Sequence, residues 1–329
     1  MKKAIFSFDY ELFFGDKSGT VKSTLIEPTD LLLNQLERSG LTGNFFVDYL
    51  MIKYLRQNND QKSKEDIRLI ENQLKDIIRR GHRIELHIHP HWVNARYNGD
   101  GTWDFSDFSH YSLNTFSTNQ IAEMFHDGIQ ILLGIIHEVN SEYEIVAFRA
   151  GGWAVQPFST LKKAFIDCGI KIDSSACYGI KNINKDSQYD FTRIPRKEMY
   201  RFEDDIEAET PGGRFIEVPI SSYYRFMIYK IADRIALKLS NGMRTFADGT
   251  HYRSADSTTV KRKVSFFNRA MYNTTCVSVF TAVFSTLLSR KKMIVFIDHP
   301  KDFVMDTLKS LNMIGRMVDS ITYKDLLRA

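Results

Sequence analysis

An alternation of short apolar runs with segments of helical period is the feature that most constrains how this chain can fold. The apolar, strand-like runs lie at 4–8, 43–49, 83–86, 144–148, 170–173, 213–220 and 293–300. Leucine, isoleucine and other apolar residues recur at helical spacing between them, at 27–38, 64–80, 119–139 and 157–168, and a last helix is indicated near 305–317. A strand–helix order that repeats in this way is typical of an α/β protein with a parallel sheet or barrel.

The alternation is interrupted by an excursion at roughly 221–292 that is mostly helical by its pattern. Its first part, YYRFMIYKIADRIALKLS, is amphipathic. Its second part, TTCVSVFTAVFSTLLS, is strongly apolar but shorter than the about 20 residues that cross a bilayer. We interpret the second part as a buried helix. The alternative is peripheral contact with a membrane surface, which the basic triplets at 261–263 and 290–292 favour.

Charge and cysteine content narrow the class of protein. The chain has 329 residues, 44 of them basic and 40 acidic, and a net charge of +4 is too small to predict a nucleic-acid partner. Three scattered cysteines fit a reducing compartment better than a disulfide framework. The apolar start ends at Asp9, too early for a secretory signal. We therefore predict a cytoplasmic protein with one domain over 1–329 and the excursion as an insertion.

Acidic and imidazole side chains stand directly after several strand-like runs, at the strand ends where parallel α/β folds collect ligands. Asp9 and Glu11 follow the first run, and the stretch GHRIELHIHPH carries three histidines at alternating positions. His87 and His91 are four residues apart, the separation at which a helical turn aims two side chains at one point. They are a candidate half of a metal site, and we expect His89 to point to the opposite side from both.

Four pieces of sequence, FDYEL, HIHPH, FRAGGW and IDHPKD, each follow an apolar run and each present a residue type used in catalysis. In this order they resemble the polysaccharide deacetylase superfamily, the metal-dependent N-deacetylases related to chitin and peptidoglycan deacetylases. The resemblance spans residues 4 to about 305, apart from much of the excursion. It implies a distorted (β/α) barrel of about seven strands with a helical insertion.

The resemblance further implies a divalent metal ion held by Glu11, His87 and His91. Many members of the superfamily have adjacent aspartates where this chain has Asp-Tyr-Glu, but a gap of two keeps both acids on the same side of an extended segment. Zinc is the default metal for one carboxylate and two imidazoles, and cobalt, nickel or manganese would suit the same ligands.

The same resemblance assigns catalytic roles to four residues. Asp9 matches the general base, Arg149 the arginine that orients it, and His299 the general acid. Asp173 matches the acid that tunes His299. An amide is a poor electrophile with a poor leaving group, so a base for the attacking water and an acid for the departing amine both help its hydrolysis.

Aromatic side chains near these pieces are candidate sugar-binding residues. Trp153, Trp103 and Tyr178 could each present a ring face to a sugar, or each could be ordinary packing. Gly152 belongs to a Gly-Gly-Trp sequence whose backbone N–H groups could help to hold an oxyanion.

Together these features predict a hydrolase that removes an N-acyl group, N-acetyl in the first instance, from an amino sugar. Because the sequence shows no export signal, we expect an intracellular substrate, a nucleotide-linked or lipid-linked intermediate of surface-polysaccharide biosynthesis. A deformylase or another small-amide hydrolase on the same site is one alternative. A non-catalytic carbohydrate-binding protein on this fold is another.

Overall fold

The computed structural model describes residues 1–183, 188–251 and 267–328. In these ranges the helices are α1 (Glu27–Arg38), α2 (Tyr49–Gln57), α3 (Gln61–Arg79), α4 (Thr118–Ile136), α5 (Lys162–Cys168), α6 (Met227–Leu239), α7 (Val279–Leu287), α8 (Met305–Gly315) and α9 (Tyr323–Leu326). The strands are β1 (Lys2–Tyr10), β2 (Gly43–Asp48), β3 (Arg83–Ile88), β4 (Arg96–Tyr97), β5 (Trp103–Asp104), β6 (Ala147–Ala150), β7 (Ile172–Asp173), β8 (Lys181–Ile183), β9 (Gln188–Asp190), β10 (Tyr200–Phe202), β11 (Phe215–Glu217), β12 (Ser222–Phe226), β13 (Phe267–Met271), β14 (Met293–Asp298) and β15 (Val318–Ser320).

One sheet organises the molecule, with the strand order β10-β11-β7-β6-β3-β2-β1-β14 and with β15 beside the start of β1. The seven strands from β11 to β14 in this order run parallel to one another. This confirms the expected α/β architecture of about seven strands. The two ends of this row approach each other. The chain that continues from β11 lies between β7 and β14. On one side, the N–H of Ile220 donates to the carbonyl oxygen of Ala176, after β7, at 2.8 Å. On the other side, the N–H of Ser221 donates to the carbonyl oxygen of Val295, in β14, at 3.0 Å. The sheet is therefore strongly curled, and the fold is a distorted barrel.

Alternation along β1 carries acidic side chains into the mouth of this barrel. Successive side chains in a strand point to opposite faces. Phe6 and Phe8 belong to the large core cluster shared with the surrounding helices, whereas Ile5 belongs to the smaller cluster inside the barrel. Ser7 and Asp9 follow on the inner side, where both contact the buried guanidinium of Arg149.

The excursion differs from its predicted structure. Its described parts hold an antiparallel ribbon of β12 and β13 as well as α6 and α7, so they are less helical than the pattern indicated. The strongly apolar part forms α7, but this helix is only half buried, because Phe280, Phe284 and Leu287 are exposed. The basic triplet at 261–263 lies outside the described residues.

The sequence pattern did not predict α2. Leu50, Met51 and Ile52 are consecutive and all buried, so they continue the apolar run of β2 instead of forming a helical stripe. The assignment of one domain to 1–329 stays a prediction. Across the described ranges, none of the helices combines the length and the apolar character that crossing a membrane requires.

Candidate metal centre and active site

The carboxyl ends of four parallel strands bring the predicted chemistry together. β1 supplies Asp9 and, one residue beyond its end, Glu11, while β3 supplies His87, β6 supplies Arg149, and His299 follows β14. A cavity of about 250 Å³ opens between them. It is lined by Asp9, Glu11, Phe14, His87, His89, Tyr111, Ala150, Gly152, Trp153, His251, His299 and Lys301. Pieces that are distant in sequence thus meet at one site.

Among the described residues, Glu11, His87 and His89 form the group that could hold a metal ion. One carboxylate oxygen of Glu11, Oε2, lies 3.0 Å from His87 Nε2 and 2.7 Å from His89 Nε2. All three side chains are buried, and their ligand atoms lie within 4.8 Å of one another. This set corrects the predicted one, because His89 takes the place that the sequence assigned to His91.

The correction follows from where β3 ends. The backbone stays extended through His89 (φ −102°, ψ 94°), so His87 and His89 are two residues apart on one face and point to the same side. Asp48 supports this geometry by accepting the His89 N–H at 3.2 Å. The chain then enters a short 3-10 turn that carries His91 away, and the His91 ring packs on Phe108 with the centroids 4.3 Å apart.

The tautomer of His87 shows why this cluster fits a cation. Its Nδ1 lies 2.7 Å from Arg149 O, and because a carbonyl oxygen only accepts, Nδ1 carries the hydrogen. Nε2 then faces the carboxylate of Glu11, which also only accepts, so a second proton or a metal ion must lie between them. Burial opposes a charged imidazole, but Asp9 and Glu11 outweigh burial and raise the pKa of His87 to about 9. The cluster therefore has the donor atoms and the negative charge that a divalent metal ion needs.

Lys301 is a buried cation beside this cluster; it lies in the sequence piece IDHPKD, but the pattern assigned it no role. Its Nζ lies 2.6 Å from Glu11 Oε1 and 3.1 Å from the carbonyl oxygen of Leu12. Burial opposes ionisation of Glu11, but Lys301 and the two imidazoles together lower the pKa of this carboxyl well below its usual range. Glu11 is therefore ionised, with one oxygen facing the ammonium and the other facing the imidazoles.

Arg149 contacts Asp9 at the wall of the cavity, and its predicted role of orienting a general base stays a prediction. The guanidinium is fully buried, and its Nη1 lies 2.5 Å from Asp9 Oδ1. Bonds to Ser7 Oγ and to the carbonyl oxygen of Ser174, both at 2.8 Å, fix the guanidinium in turn. Oδ2 of Asp9 lies 3.6 Å from His299 Nε2. One oxygen of Asp9 is thus anchored, and the other faces the cavity as an acceptor, which suits a general base.

His299 is paired with Asp302. Its Nε2 lies 3.6 Å from Glu11 Oε1, and its Nδ1 lies 3.5 Å from Asp302 Oδ2. The other oxygen of Asp302 lies 2.5 Å from Nε2 of His251, which borders the same cavity. Burial lowers the pKa of His299 in spite of the neighbouring acids. Asp302 belongs to IDHPKD, one of the four sequence pieces that predicted the site. His251 lies outside all four pieces, and no sequence signal marked it.

Asp173 does not tune His299, contrary to the sequence-based prediction. Within the described part of the chain it makes no contact with that imidazole; its carboxylate accepts the N–H and the hydroxyl of Ser175, each at 2.9 Å. Glu217 lies beside it in register on β11. Burial and the negative charge of Asp173 raise the pKa of Glu217 well above its usual range. Glu217 therefore keeps its proton, and the two carboxyls form a structural pair.

Glu217→Gln is expected to make the stability of the protein less dependent on pH. Because the folded-state pKa of Glu217 is raised, its contribution to stability is full below the ordinary carboxyl pKa and is lost as pH rises toward the folded-state value. Glutamine cannot ionise, so between about pH 5 and about pH 9 the Tm of the variant should fall less than that of the wild type. Thermal unfolding followed by circular dichroism measures this. Glu142→Gln, at an exposed position, is the matched control, and parallel Tm curves for Glu217→Gln and the wild type would contradict the expectation.

Two of the four predicted substrate-binding residues, Gly152 and Trp153, border the cavity. Both have a φ of 58°, in the short turn that follows β6. A Cβ at Gly152 would lie 2.6 Å from Cε1 of Tyr111, so the backbone can approach that ring only with glycine here. Their contact with a substrate, and the use of the neighbouring N–H groups as an oxyanion site, stay predictions.

The other two predicted residues, Trp103 and Tyr178, lie away from the cavity. Trp103 belongs to the short strand β5 and is buried, with its ring centroid 4.9 Å from that of Trp92. Ordinary packing is therefore the correct interpretation for Trp103. Tyr178 lies beyond the end of β7 and borders a separate groove, where the guanidinium of Arg269 is 4.6 Å from its ring centroid.

Several solved structures are similar in fold to this chain. The sequence itself matches no protein-family model and no curated protein. A 4-α-glucanotransferase from Thermococcus litoralis is 12% identical, with a TM-score of 0.51 over 99% of this chain and 40% of that chain. A proposed polysaccharide deacetylase from Mycobacterium smegmatis is 14% identical, with a TM-score of 0.48 over 97% of this chain and 85% of that chain. A CE4-family pseudoenzyme from Bacillus anthracis is 11% identical, with a TM-score of 0.42 over 99% of this chain and 65% of that chain.

The match to the glucanotransferase, whose TM-score exceeds 0.5, supports a shared fold. The chain also matches polysaccharide deacetylases of the CE4 family over nearly its whole length, at low sequence identity and with TM-scores of 0.40 to 0.48. At identities of 11 to 14% the likeness carries no information about the reaction, and one of the matched proteins is a pseudoenzyme.

Proposed function

We propose that this protein is a metal-dependent hydrolase that removes an N-acyl group, N-acetyl in the first instance, from an amino sugar. The observation that supports this most is the meeting of the buried Glu11, His87 and His89 cluster with Asp9 and His299 around one cavity. A cation site, an acceptor for a proton and a donor of a proton are the parts that hydrolysis of an amide requires. The resemblance of the four sequence pieces to N-deacetylases supports the choice of substrate.

Each side chain has a defined part in this reaction. A divalent ion bound by the cluster, zinc by default, would activate water and polarise the acyl oxygen. Asp9, held by Arg149, accepts the proton that the water loses as its oxygen bonds to the acyl carbon. His299, once it has taken up a proton to become imidazolium, gives that proton to the amide nitrogen as the carbon–nitrogen bond breaks, so the amine leaves as a neutral group. The elements of water are thus divided between a carboxylic acid and an amine.

The size of the cavity supports a small substrate. Its volume of about 250 Å³ lies below the about 300–1,000 Å³ that is usual for ligand pockets. Such a volume suits one sugar residue with its acyl group better than a length of polymer. We further propose that this sugar belongs to a nucleotide-linked or lipid-linked intermediate of surface-polysaccharide biosynthesis in the cytoplasm, a choice on which the volume of the cavity has no bearing.

One observation favours the alternative of a non-catalytic carbohydrate-binding protein. The ammonium group of Lys301 lies 2.6 Å from Glu11 Oε1, and a buried positive charge so close to a ligand lessens its attraction for a metal ion. Metal analysis separates the two functions. A protein that takes up no divalent metal at all would be the binding protein, and the hydrolase proposal would be wrong.

Release of acid from a set of N-acylated amino sugars tests the proposal. The purified full-length protein is stripped with a chelator, supplied with Zn²⁺, Co²⁺, Ni²⁺ or Mn²⁺, and offered UDP-linked N-acetylglucosamine, N-acetylglucosamine oligomers and an N-formyl analogue. Metal-dependent release of acetate would support a deacetylase. Release of formate alone would identify a deformylase, and no release by the metal-loaded protein from any of these substrates would contradict the proposal.

A further inference from the structure

Helix α6 carries its apolar stripe on the outside of the molecule. Ile228, Ile231 and Ile235 are spaced by three and four residues, which places them on one face, and they are 60%, 50% and 51% exposed. The opposite face carries Tyr229 and Asp233, which are buried. A helix on the surface of a globular protein ordinarily has the reverse arrangement, with its apolar stripe toward the core.

Helix α7 and its C-terminal cap have the same inverted arrangement. Phe280, Phe284 and Leu288 recur at a spacing of four and are 38%, 41% and 68% exposed. Thr281 and Ser285 are buried on the inward side. Large aliphatic and phenylalanine side chains thus face outward on both helices, while the inward faces include the polar residues Asp233, Thr281 and Ser285.

Buried hydrogen bonds fix both helices in this orientation. The Asp233 carboxylate, which pairs with Arg225, accepts the N–H of Ser278 at 2.8 Å and its hydroxyl at 2.7 Å, at the N-terminus of α7. The hydroxyl of Thr281 donates to the same oxygen at 2.6 Å. Rotation of either helix to bury its apolar stripe would leave this carboxylate without partners in the interior, which is costly. The outward apolar stripes are therefore a property of the folded chain.

Positive charge surrounds the two stripes. In 225–244 and 279–292 taken together, eight residues are basic and one is acidic. That acid is Asp233, which is buried and already paired. A groove of about 600 Å³ beside the end of α7 adds three basic residues, Arg196, Lys197 and Arg269, and one acid, Glu198, to this surface. It lies next to the exposed side chains of Phe226 and Leu288. The surface is therefore apolar at its centre and basic around it.

We propose that this surface, the apolar stripes of α6 and α7 with their surrounding basic residues, binds a membrane that contains anionic lipids. The stripes enter the boundary between headgroups and acyl chains, and the arginine and lysine side chains contact the lipid phosphates. A second copy of the chain is a poorer occupant, because two such surfaces would bring their cations together. The proposal goes beyond the proposed function and does not depend on it, since it concerns binding alone.

Co-sedimentation of the full-length protein with lipid vesicles tests the proposal. The protein should bind vesicles of phosphatidylcholine mixed with phosphatidylglycerol and bind phosphatidylcholine alone more weakly. Raising the salt concentration should weaken binding to the mixed vesicles, because salt screens exposed charges. Replacing both Phe284 and Leu288 with serine should lower the partition coefficient at least about tenfold, since two large apolar side chains no longer enter the bilayer.

Two further variants separate a loss of binding from a loss of folding. Ile166→Ser is the matched control, because Ile166 is 44% exposed on α5, outside this surface, and this variant should bind as the wild type does. Arg290→Gln combined with Lys292→Gln removes charge alone and should reduce binding to the mixed vesicles about tenfold. Both side chains are exposed, so the Tm of this variant should stay at the wild-type value.

Three results would overturn the proposal. The wild type could fail to sediment with the mixed vesicles, or the Phe284→Ser, Leu288→Ser protein could bind them as tightly as the wild type. The third is a dimer, detected by light scattering, that the same double substitution converts to a monomer. In that case a second copy of the chain covers the surface.

Discussion

His89→Ala is expected to weaken the binding of Zn²⁺ at least about 100-fold, whereas His91→Ala should bind the ion as the wild type does. The reason lies in the path of the chain after β3. His89 Nε2 is 2.7 Å from the Glu11 oxygen that also faces His87, so alanine at 89 removes one of three converging ligands. The His91 ring packs instead among aromatic side chains, with its centroid 4.3 Å from that of Phe108.

Calorimetric titration of the chelator-stripped proteins with Zn²⁺ measures both affinities. The visible spectrum of the Co²⁺-loaded proteins gives a second readout, because it changes with the ligands of the ion and not with its affinity alone. His91→Ala is also the control for folding, since His91 is buried as deeply as His89. Loss of zinc binding in His91→Ala and its retention in His89→Ala would restore the ligand set predicted from the sequence.

His299→Gln is expected to lower kcat for amide hydrolysis by about 10²–10⁴-fold while zinc affinity stays near the wild-type value. Glutamine is close to histidine in size and can still contact Asp302. Its amide group does not ionise, however, so it cannot transfer a proton to the departing amine. Initial rates of acid release at saturating substrate, with the metal content of each sample determined beforehand, measure the effect. A full rate in this variant would show that His299 is not the general acid.

His251→Gln is the matched control for this experiment. His251 borders the same cavity and contacts the same Asp302 carboxylate, yet it makes no contact with Asp9 or Glu11 among the described residues. We expect its rate to stay within about tenfold of the wild type. Equal losses in the two variants would assign the effect to a disturbance of Asp302 and not to proton transfer by His299.

The barrel could be predicted because its buried parallel strands appear in the sequence as short apolar runs. β1, β2, β3 and β14 each coincide with a predicted run, and α1 has the predicted bounds. The excursion could not be predicted in the same way. Helical spacing shows that an apolar stripe exists but not which way it faces, and in α7 the orientation depends on Asp233, 45 residues from the Ser278 that it binds.

The candidate site could be predicted where a side chain directly follows a buried strand. Asp9, Arg149 and His299 come together for this reason. The choice between His89 and His91 depends on the residue at which β3 stops, since alternation of side chains applies up to that point and turn geometry beyond it. Composition and spacing do not determine a strand boundary to one residue, so the sequence supported the wrong member of the pair.

The dependence of acyl release on bound metal tests the central claim most directly. The stripped, full-length protein is titrated with Zn²⁺ while acetate release from an N-acetylated amino sugar is followed. We predict that activity rises to a plateau near about one equivalent of metal and that Glu11→Gln, which lacks the ligand carboxylate, releases no acetate under the same conditions. Full activity in the stripped protein, or a wild-type rate in Glu11→Gln, would contradict a metal centre built on Glu11, His87 and His89.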